Sequence, residues 1–168
     1  MKVFSETGWR FWWLAALVLV ADQLSKIYVI KNFALGESVN LLPVFNLTYA
    51  RNYGAAFSFL GDAGGWQRWL FTAIAVGVTI GLSIWLARLS KGQCKLSLAL
   101  ICIVTGAVGN LIDRSLYGYV VDFIHVYYQE WHYPIFNIAD CAICIGAAIL
   151  IWDSFTEDKN EKVPEVNA

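Results

Sequence analysis

A run of 19 residues without a charge, Trp69 to Ala87, constrains the fold more than any other feature of the chain. As a helix rising about 1.5 Å per residue it reaches roughly 28 Å, close to the thickness of a bilayer's hydrocarbon core. Leu96 to Ile112 is a second uncharged run, and Ile135 to Trp152 is a third, broken only by Asp140. Phe11 to Ala21 begins a fourth, which passes Asp22, Gln23, Ser25 and Lys26 before Ile27-Tyr28-Val29-Ile30. This fourth run follows Lys2 and Arg10 as a cleavable signal peptide would. No small-x-small cleavage site follows its apolar core, however, so it reads as a retained helix. Charged residues make up 15% of the chain, where a soluble domain has about a quarter, and mean hydropathy is +0.55. The chain is a membrane protein.

The predicted fold is all-α, with four transmembrane helices over about 11–30, 69–87, 96–112 and 135–152 in one integral membrane domain, residues 1–155. A small extracytoplasmic β-sheet is expected from the first outer loop, about 32–67. There Phe45, Leu47 and Tyr49 alternate with Asn46 and Thr48 at strand period. Pro43, Asn52, Gly54, Gly61, Gly64 and Gly65 punctuate this loop with turns, and Phe57, Phe59 and Leu60 give it an apolar side. The second outer loop, Asp113 to Pro134, carries Val126-Tyr127-Tyr128 and Trp131 and is expected to touch the membrane interface. Gly77-x-x-x-Gly81 and Ala142-x-x-x-Gly146 are spacings that let helices approach closely. Residues 156–168 read as a charged, proline-containing, disordered tail.

The short connection from Arg88 to Lys95 holds Arg88, Lys91 and Lys95 with no acid, so the positive-inside rule makes it cytoplasmic. Four spans then put both termini on that side and both long loops outside. Trp9, Trp12, Trp13, Trp85 and Trp152 fall at inner helix ends, and Trp66, Trp69 and Trp131 at outer ones, where indoles prefer to lie. Net charge is −1, so no basic field attracts nucleic acid, and nucleic-acid motifs are missing. Cys94, Cys102, Cys141 and Cys144 do not form a disulfide framework; buried thiols are the plainer reading.

Two aspartates carry the chemistry. Asp140 lies one or two turns inside the outer end of the fourth helix, and Asn137, three residues earlier, shares its face. Asp122 stands about ten residues beyond the third helix, in the second outer loop, so both meet at the outer membrane boundary. A carboxylate at that depth is expensive and therefore a functional candidate. Two carboxyls in a poorly hydrated site do not both ionise easily, so one proton is held between them and one group is base while the other is acid. Asn110 and Arg114, four apart, present a polar edge of the third helix to the same region, and Asp22 and Lys26 pair at the same spacing in the first. Each has a plainer reading: Asp140 bonded within the bundle, Asp122 in an ordinary loop, Asp113 or Arg114 meeting water, and Asn52 and Gly54 serving a turn.

Asn52-Tyr53-Gly54-Ala55-Ala56-Phe57, Gly109-Asn110-Leu111-Ile112-Asp113-Arg114, Val121-Asp122-Phe123 and Phe136-Asn137-Ile138-Ala139-Asp140, with Asp22 and Lys26, resemble the motifs of bacterial signal peptidase II. Several separate motifs occur in order around four spans, covering the chain up to its tail. The resemblance implies an aspartic endopeptidase of the bacterial inner membrane. Such an enzyme removes the signal peptide from a prolipoprotein on the amino side of a diacylglyceryl-modified cysteine. It would make Asp122 and Asp140 the catalytic pair. Asn52, Gly54, Asn110, Arg114 and Asn137 would position substrate or orient the pair, with Asp22 and Lys26 as structural support. Its partners would be prolipoprotein signal peptides and membrane lipids, with no metal or other cofactor, and a monomer is expected.

Four rival readings fare worse. A disulfide oxidoreductase using Cys141 and Cys144 lacks a second cysteine pair in the outer loops. A metallohydrolase using Asp122, His125, His132 and Asp140 lacks a His-Glu-x-x-His helix. A proton or ion carrier relaying through Asp22 and Asp140 has no use for a long structured loop. A serine protease has no motif placing a base near Ser58 or Ser115, and adjacent Ser25 and Lys26 point to different helix faces.

Overall fold

The computed structural model describes residues 6–54 and 64–160. Four helices among them are long and apolar enough to cross a membrane: Gly8–Asn32, Trp66–Arg88, Cys94–Leu116 and Ile138–Phe155. The first opens with a 3-10 turn, Gly8–Phe11, capped by the Thr7 hydroxyl, which accepts from the Trp9 amide. It continues as α1 (Trp12–Asn32), followed by β1 (Ser38–Leu42), β2 (Phe45–Asn52), α2 (Trp66–Arg88), α3 (Cys94–Leu116), β3 (Val120–Tyr128), β4 (Trp131–His132) and α4 (Ile138–Asn160). The four expected spans are present, the first three longer by a few residues and the fourth of the same length but shifted three residues along the chain. Helix α4 runs on to Asn160, past the point where the sequence reading began a disordered tail, because no helix breaker occurs before Pro164. The expected roles of Phe57, Phe59, Leu60 and Gly61, the Ala55-Ala56-Phe57 part of the first-loop motif, Ser58, Lys2 and the end of the tail lie outside the described residues.

Helix α3 is the axis of the bundle. In its most apolar stretch 61% of residues are buried, against 17%, 6% and 17% for the spans built on α1, α2 and α4, whose remaining faces are left to lipid. Between helices in a bilayer the hydrophobic effect is absent, and close backbone packing replaces it. A Cβ added to Gly106 of α3 would stand 2.2 Å from the carbonyl oxygen of Ala139. One added to Gly146 of α4 would stand 2.6 Å from that of Ala99. The Ala142-x-x-x-Gly146 spacing therefore does join two helices. Gly77-x-x-x-Gly81 does not, since among the described residues a Cβ added to either glycine would meet no other segment within 4 Å. A small-residue spacing permits an approach but supplies no partner.

The sheet corrects the sequence reading. It has four antiparallel strands in the order β1-β2-β3-β4, so the first loop supplies two strands and the second loop the other two. Asp122 is thus a strand residue, paired with Ala50 of β2. A register shift between Leu47 and Ala50 bends β2 at this point. Val121 and Phe123 pack with Tyr49 and Val29 of α1, which fixes the sheet on the bundle. Strand alternation turns Asp122, between them, the other way. Phe136 then bridges Ile124, exchanging hydrogen bonds of 2.8 and 3.1 Å, and seats the start of α4 beside β3.

Gly106→Ala should lower the thermal stability of the detergent-solubilised protein by an amount equivalent to about 1–3 kcal/mol, because backbone must move to admit the methyl group. Gly77→Ala and Gly81→Ala should leave the melting temperature unchanged. Equal effects from all three variants would refute the α3–α4 contact as the close one.

Candidate active site

Helix α4 starts with a reciprocal cap. The amide of Asp140 donates to Asn137 Oδ1 at 2.9 Å, and the amide of Asn137 donates to Asp140 Oδ2 at 3.3 Å. This is the geometry of a capping box, with Asn137 at the N-cap and Asp140 three residues on. Asp140 therefore sits in the first turn, nearer the helix end than the sequence reading had it. Capping uses the oxygen of Asn137 and leaves its Nδ2 free to donate to Asp122 Oδ1 at 2.6 Å and Val121 O at 3.3 Å. One amide thus holds both carboxyls, one from a strand and one from a helix.

Asn110 of α3 completes the arrangement by donating from Nδ2 to Asp140 Oδ1 at 2.7 Å. Its own oxygen accepts from Lys26 Nζ at 3.1 Å and from Asn137 Nδ2 at 3.2 Å. A cation on one side and an amide donor on the other leave that oxygen only one orientation. Asn52 folds back as an Asx turn, its Oδ1 accepting from the Gly54 amide at 2.9 Å, and its side chain also hydrogen-bonds Asp122. Arg114 donates from Nη2 to the Gly54 carbonyl at 2.9 Å, lies over the Phe71 ring at 5.8 Å, and is within electrostatic reach of Asp140 and Asp122. Asn52, Gly54, Asn110, Arg114, Asp122, Asn137 and Asp140 therefore stand in one connected group.

Beneath it lies a buried ion cluster. Lys26 Nζ is 2.9 Å from Asp22 Oδ2 and 2.9 Å from Asp113 Oδ2, with all three side chains 1% exposed or less. The expected Asp22–Lys26 pair is present. Asp113, for which contact with water is the plainer alternative in the sequence, is wholly buried and accepts from the Val121 amide at 3.0 Å, next to Asp122. Asp22 Oδ1 in turn accepts from the Ala139 amide at 2.8 Å, next to Asp140. Each buried acid thus fixes the backbone beside one member of the pair. Gln23 donates to Asp22, the Gly109 carbonyl and Asp113 at 3.0, 3.2 and 3.2 Å. Its place on the turn that carries Asp22 and Lys26 was the sequence signal for it.

Burial lifts the Asp122 carboxyl to about 7, with the Asp140 charge adding to the effect and hydrogen bonds from Asn137 and Asn52 opposing it. The residues of the rival readings are dispersed. His125 is three residues from Asp122 on the same strand and so faces the opposite way. Cys94 and Cys144 are exposed, Cys102 and Cys141 half-buried, and all four are free, so none is the fully buried thiol that was expected.

Fold and site together define a multi-pass membrane enzyme with a buried and a half-buried carboxyl, Asp122 and Asp140, paired at one end of its helix bundle, an arrangement suited to acid–base hydrolysis. The comparisons with known proteins agree. The profile of the family described as Signal peptidase (SPase) II matches residues 14–156. A lipoprotein signal peptidase from Shewanella baltica is 58% identical over 158 residues, 94% of this chain and 92% of that protein. One from Shewanella loihica is 55% identical over 163 residues, 97% of this chain and 96% of that protein. A solved bacterial membrane enzyme structure superposes with a TM-score of 0.80 at 32% identity, covering 91% of this chain and 92% of that one. The chain belongs to the signal peptidase II family.

The raised Asp122 carboxyl has a consequence for stability. The folded state binds the Asp122 proton more tightly than the unfolded chain, whose carboxyl keeps its ordinary value of 3.8. Stability should therefore fall as pH rises between about 4 and 7. Melting temperatures across that window should decline for wild type and decline less for Asp122→Asn. Parallel curves for the two proteins would contradict the raised value.

Proposed function

We propose that this membrane peptidase cuts prolipoproteins on the amino side of a diacylglyceryl-modified cysteine, using a water molecule activated by Asp122 and Asp140. Membership of the signal peptidase II family supports the removal of signal peptides from prolipoproteins. The observation that carries the mechanism is the Asn137 amide, which caps α4 through Asp140 while donating to Asp122 and so keeps the two carboxyls in register. Asp140 accepts N–H donors at both oxygens, from Asn110 and from Asn137, which suits it to carry negative charge and act as base. Asp122, with its carboxyl raised to about 7, retains the proton and acts as acid.

Asp140 takes a proton from water as the water oxygen attacks the scissile carbonyl carbon, and Asp122 protonates the carbonyl oxygen. The resulting gem-diol collapses when its hydroxyl proton returns to Asp122 and the leaving nitrogen receives the proton held by Asp140. The pair ends in its starting state. Arg114 holds the loop at Gly54 through one nitrogen, and its other N–H donors are offered to a substrate carbonyl. A lipid-modified cysteine is anchored at the membrane surface, which brings its scissile bond to the depth of the helix end that bears Asp140. The enzyme acts as a monomer in the bacterial cytoplasmic membrane, with both termini inside and the paired aspartates at the outer face.

Asp122→Asn and Asp140→Asn should each abolish cleavage of a diacylated prolipoprotein peptide in detergent while leaving a folded protein, and wild-type cleavage should survive a metal chelator. Near wild-type turnover by either variant would sink the assignment. Arg114→Ala should lose activity and Arg114→Lys recover only part of it, with the pH–rate profile lower but unchanged in shape, because lysine lacks the planar fork of donors. Full activity in the lysine variant would reduce Arg114 to a structural anchor.

The orientation has its own test. In a cysteine-free background, an impermeant thiol reagent should reach Gly92→Cys only from the cytoplasm and Glu130→Cys only from outside. The reverse pattern would invert the protein.

A further inference from the structure

The face of the sheet turned away from the aspartates carries a line of side-chain contacts that peptide hydrolysis does not use. Ser38 Oγ lies 2.7 Å from Thr48 Oγ1, Thr48 Oγ1 lies 3.0 Å from His125 Nδ1, and His125 Nε2 lies 2.9 Å from His132 Nδ1. One residue from each of the four strands takes part. Tyr127 stacks on His132 with ring centroids 5.5 Å apart and planes 15° from parallel, and its hydroxyl accepts from Asn40 Nδ2 at 2.8 Å. His132 is exposed and His125 half-exposed, so solvent reaches both rings.

We propose that His125 and His132 form a binding site for a divalent transition-metal ion of the copper or nickel class, clamping β3 to β4 on the sheet face opposite Asp122, beyond the part that packs on α1. Metal–imidazole bonds of about 2.0–2.1 Å set at a right angle place their two nitrogens about 2.9 Å apart, whereas a tetrahedral ion needs about 3.3 Å. The observed 2.9 Å matches neighbouring corners of a square-planar or octahedral ion, the geometries that nitrogen-rich copper and nickel sites adopt. The tautomers fit as well. With Thr48 donating to Ser38, its oxygen accepts from His125 Nδ1–H, which leaves Nε2 as a lone-pair donor. This is how a hydrogen-bond partner orients an imidazole ligand. Across the 2.9 Å contact His132 Nδ1–H then donates to His125 Nε2, and moving that proton to the solvent-facing Nε2 of the same ring turns a second lone pair to the same point, so an ion would enter without net proton release. Among the described residues no group of three or more His, Cys, Asp or Glu gathers to hold a metal, so water completes the coordination here.

The test uses the full-length protein in detergent with any affinity tag removed. Copper(II) and nickel(II) chlorides are titrated in by calorimetry, with the electron paramagnetic resonance spectrum of the copper-loaded protein as a second readout. One saturable site is expected, with splitting from two nitrogens in the copper spectrum and a rise in melting temperature that levels off with metal. His125→Gln and His132→Gln should each lose that site while cleaving prolipoprotein peptide at the wild-type rate, which shows that they fold. Thr48→Val should weaken binding by about tenfold or more. Absence of saturable binding to wild type, or binding that survives both histidine replacements, would overturn the proposal.

Discussion

The rest of the site depends on one buried ammonium. Lys26 is 1% exposed at a depth where an unpaired charge is prohibitively costly, and it is held by Asp22, Asp113 and the oxygen of Asn110. A buried ion pair adds little net stability over a well-packed apolar core, but removing one partner leaves the others uncompensated. The cluster therefore acts as a constraint on geometry. Three separate pieces of chain, α1 through Asp22 and Lys26, α3 through Asn110 and Asp113, and the start of α4 through Ala139, must meet at one point or leave a charge stranded.

That constraint propagates outward with a definite polarity. The Lys26 ammonium can only donate, so Asn110 must turn its oxygen inward and its NH2 toward Asp140. Asn137 is oriented in the same way, because the Asp140 amide fixes its oxygen and its nitrogen is then left for Asp122. An amide whose two ends are assigned by different neighbours cannot flip without breaking contacts at both. The donors facing the carboxyls are thus preorganised before substrate arrives, the condition under which hydrogen bonds aid catalysis most.

The parts of this arrangement that were legible in the sequence are those that rest on local spacing. Asp22 with Lys26 and Asn110 with Arg114 are neighbours on helices, and the four spans announce themselves by length and apolarity. Asp113 was not legible, because its partners come from α1 and from the backbone of β3 across the bundle. The strand from Val120 to Tyr128 falls within the expected second outer loop although it is rich in β-branched and aromatic residues. It lacks clean polar–apolar alternation, because its two faces are set by Val29 on one side and Asn137 on the other. The glycines show the same limit. Gly77, Gly81, Gly106 and Gly109 look alike in sequence, yet only Gly106 and Gly109 face close neighbours, the latter because a Cβ there would stand 2.7 Å from Asp22 Oδ2.

Counting charges at this end of the bundle explains why the paired aspartates keep a proton. Lys26 and Arg114 contribute two positive charges, and Asp22 and Asp113, both within 2.9 Å of Lys26, contribute two negative ones. Lys26 is already matched by these two acids, which leaves Arg114 as the one of these two cations that acts chiefly on Asp140 and Asp122. Ionising one of the pair leaves a single negative charge, shared through the amides of Asn110 and Asn137. Ionising both would place two in a site that water barely reaches. Had Asp113 been absent, more of Lys26's field would have been free to draw the second proton away. The buried acid that looked incidental in the sequence thus has two effects: it fixes the backbone next to Asp122, and by occupying Lys26 it lets the pair remain half-protonated, the state in which one carboxyl can give a proton while the other takes one.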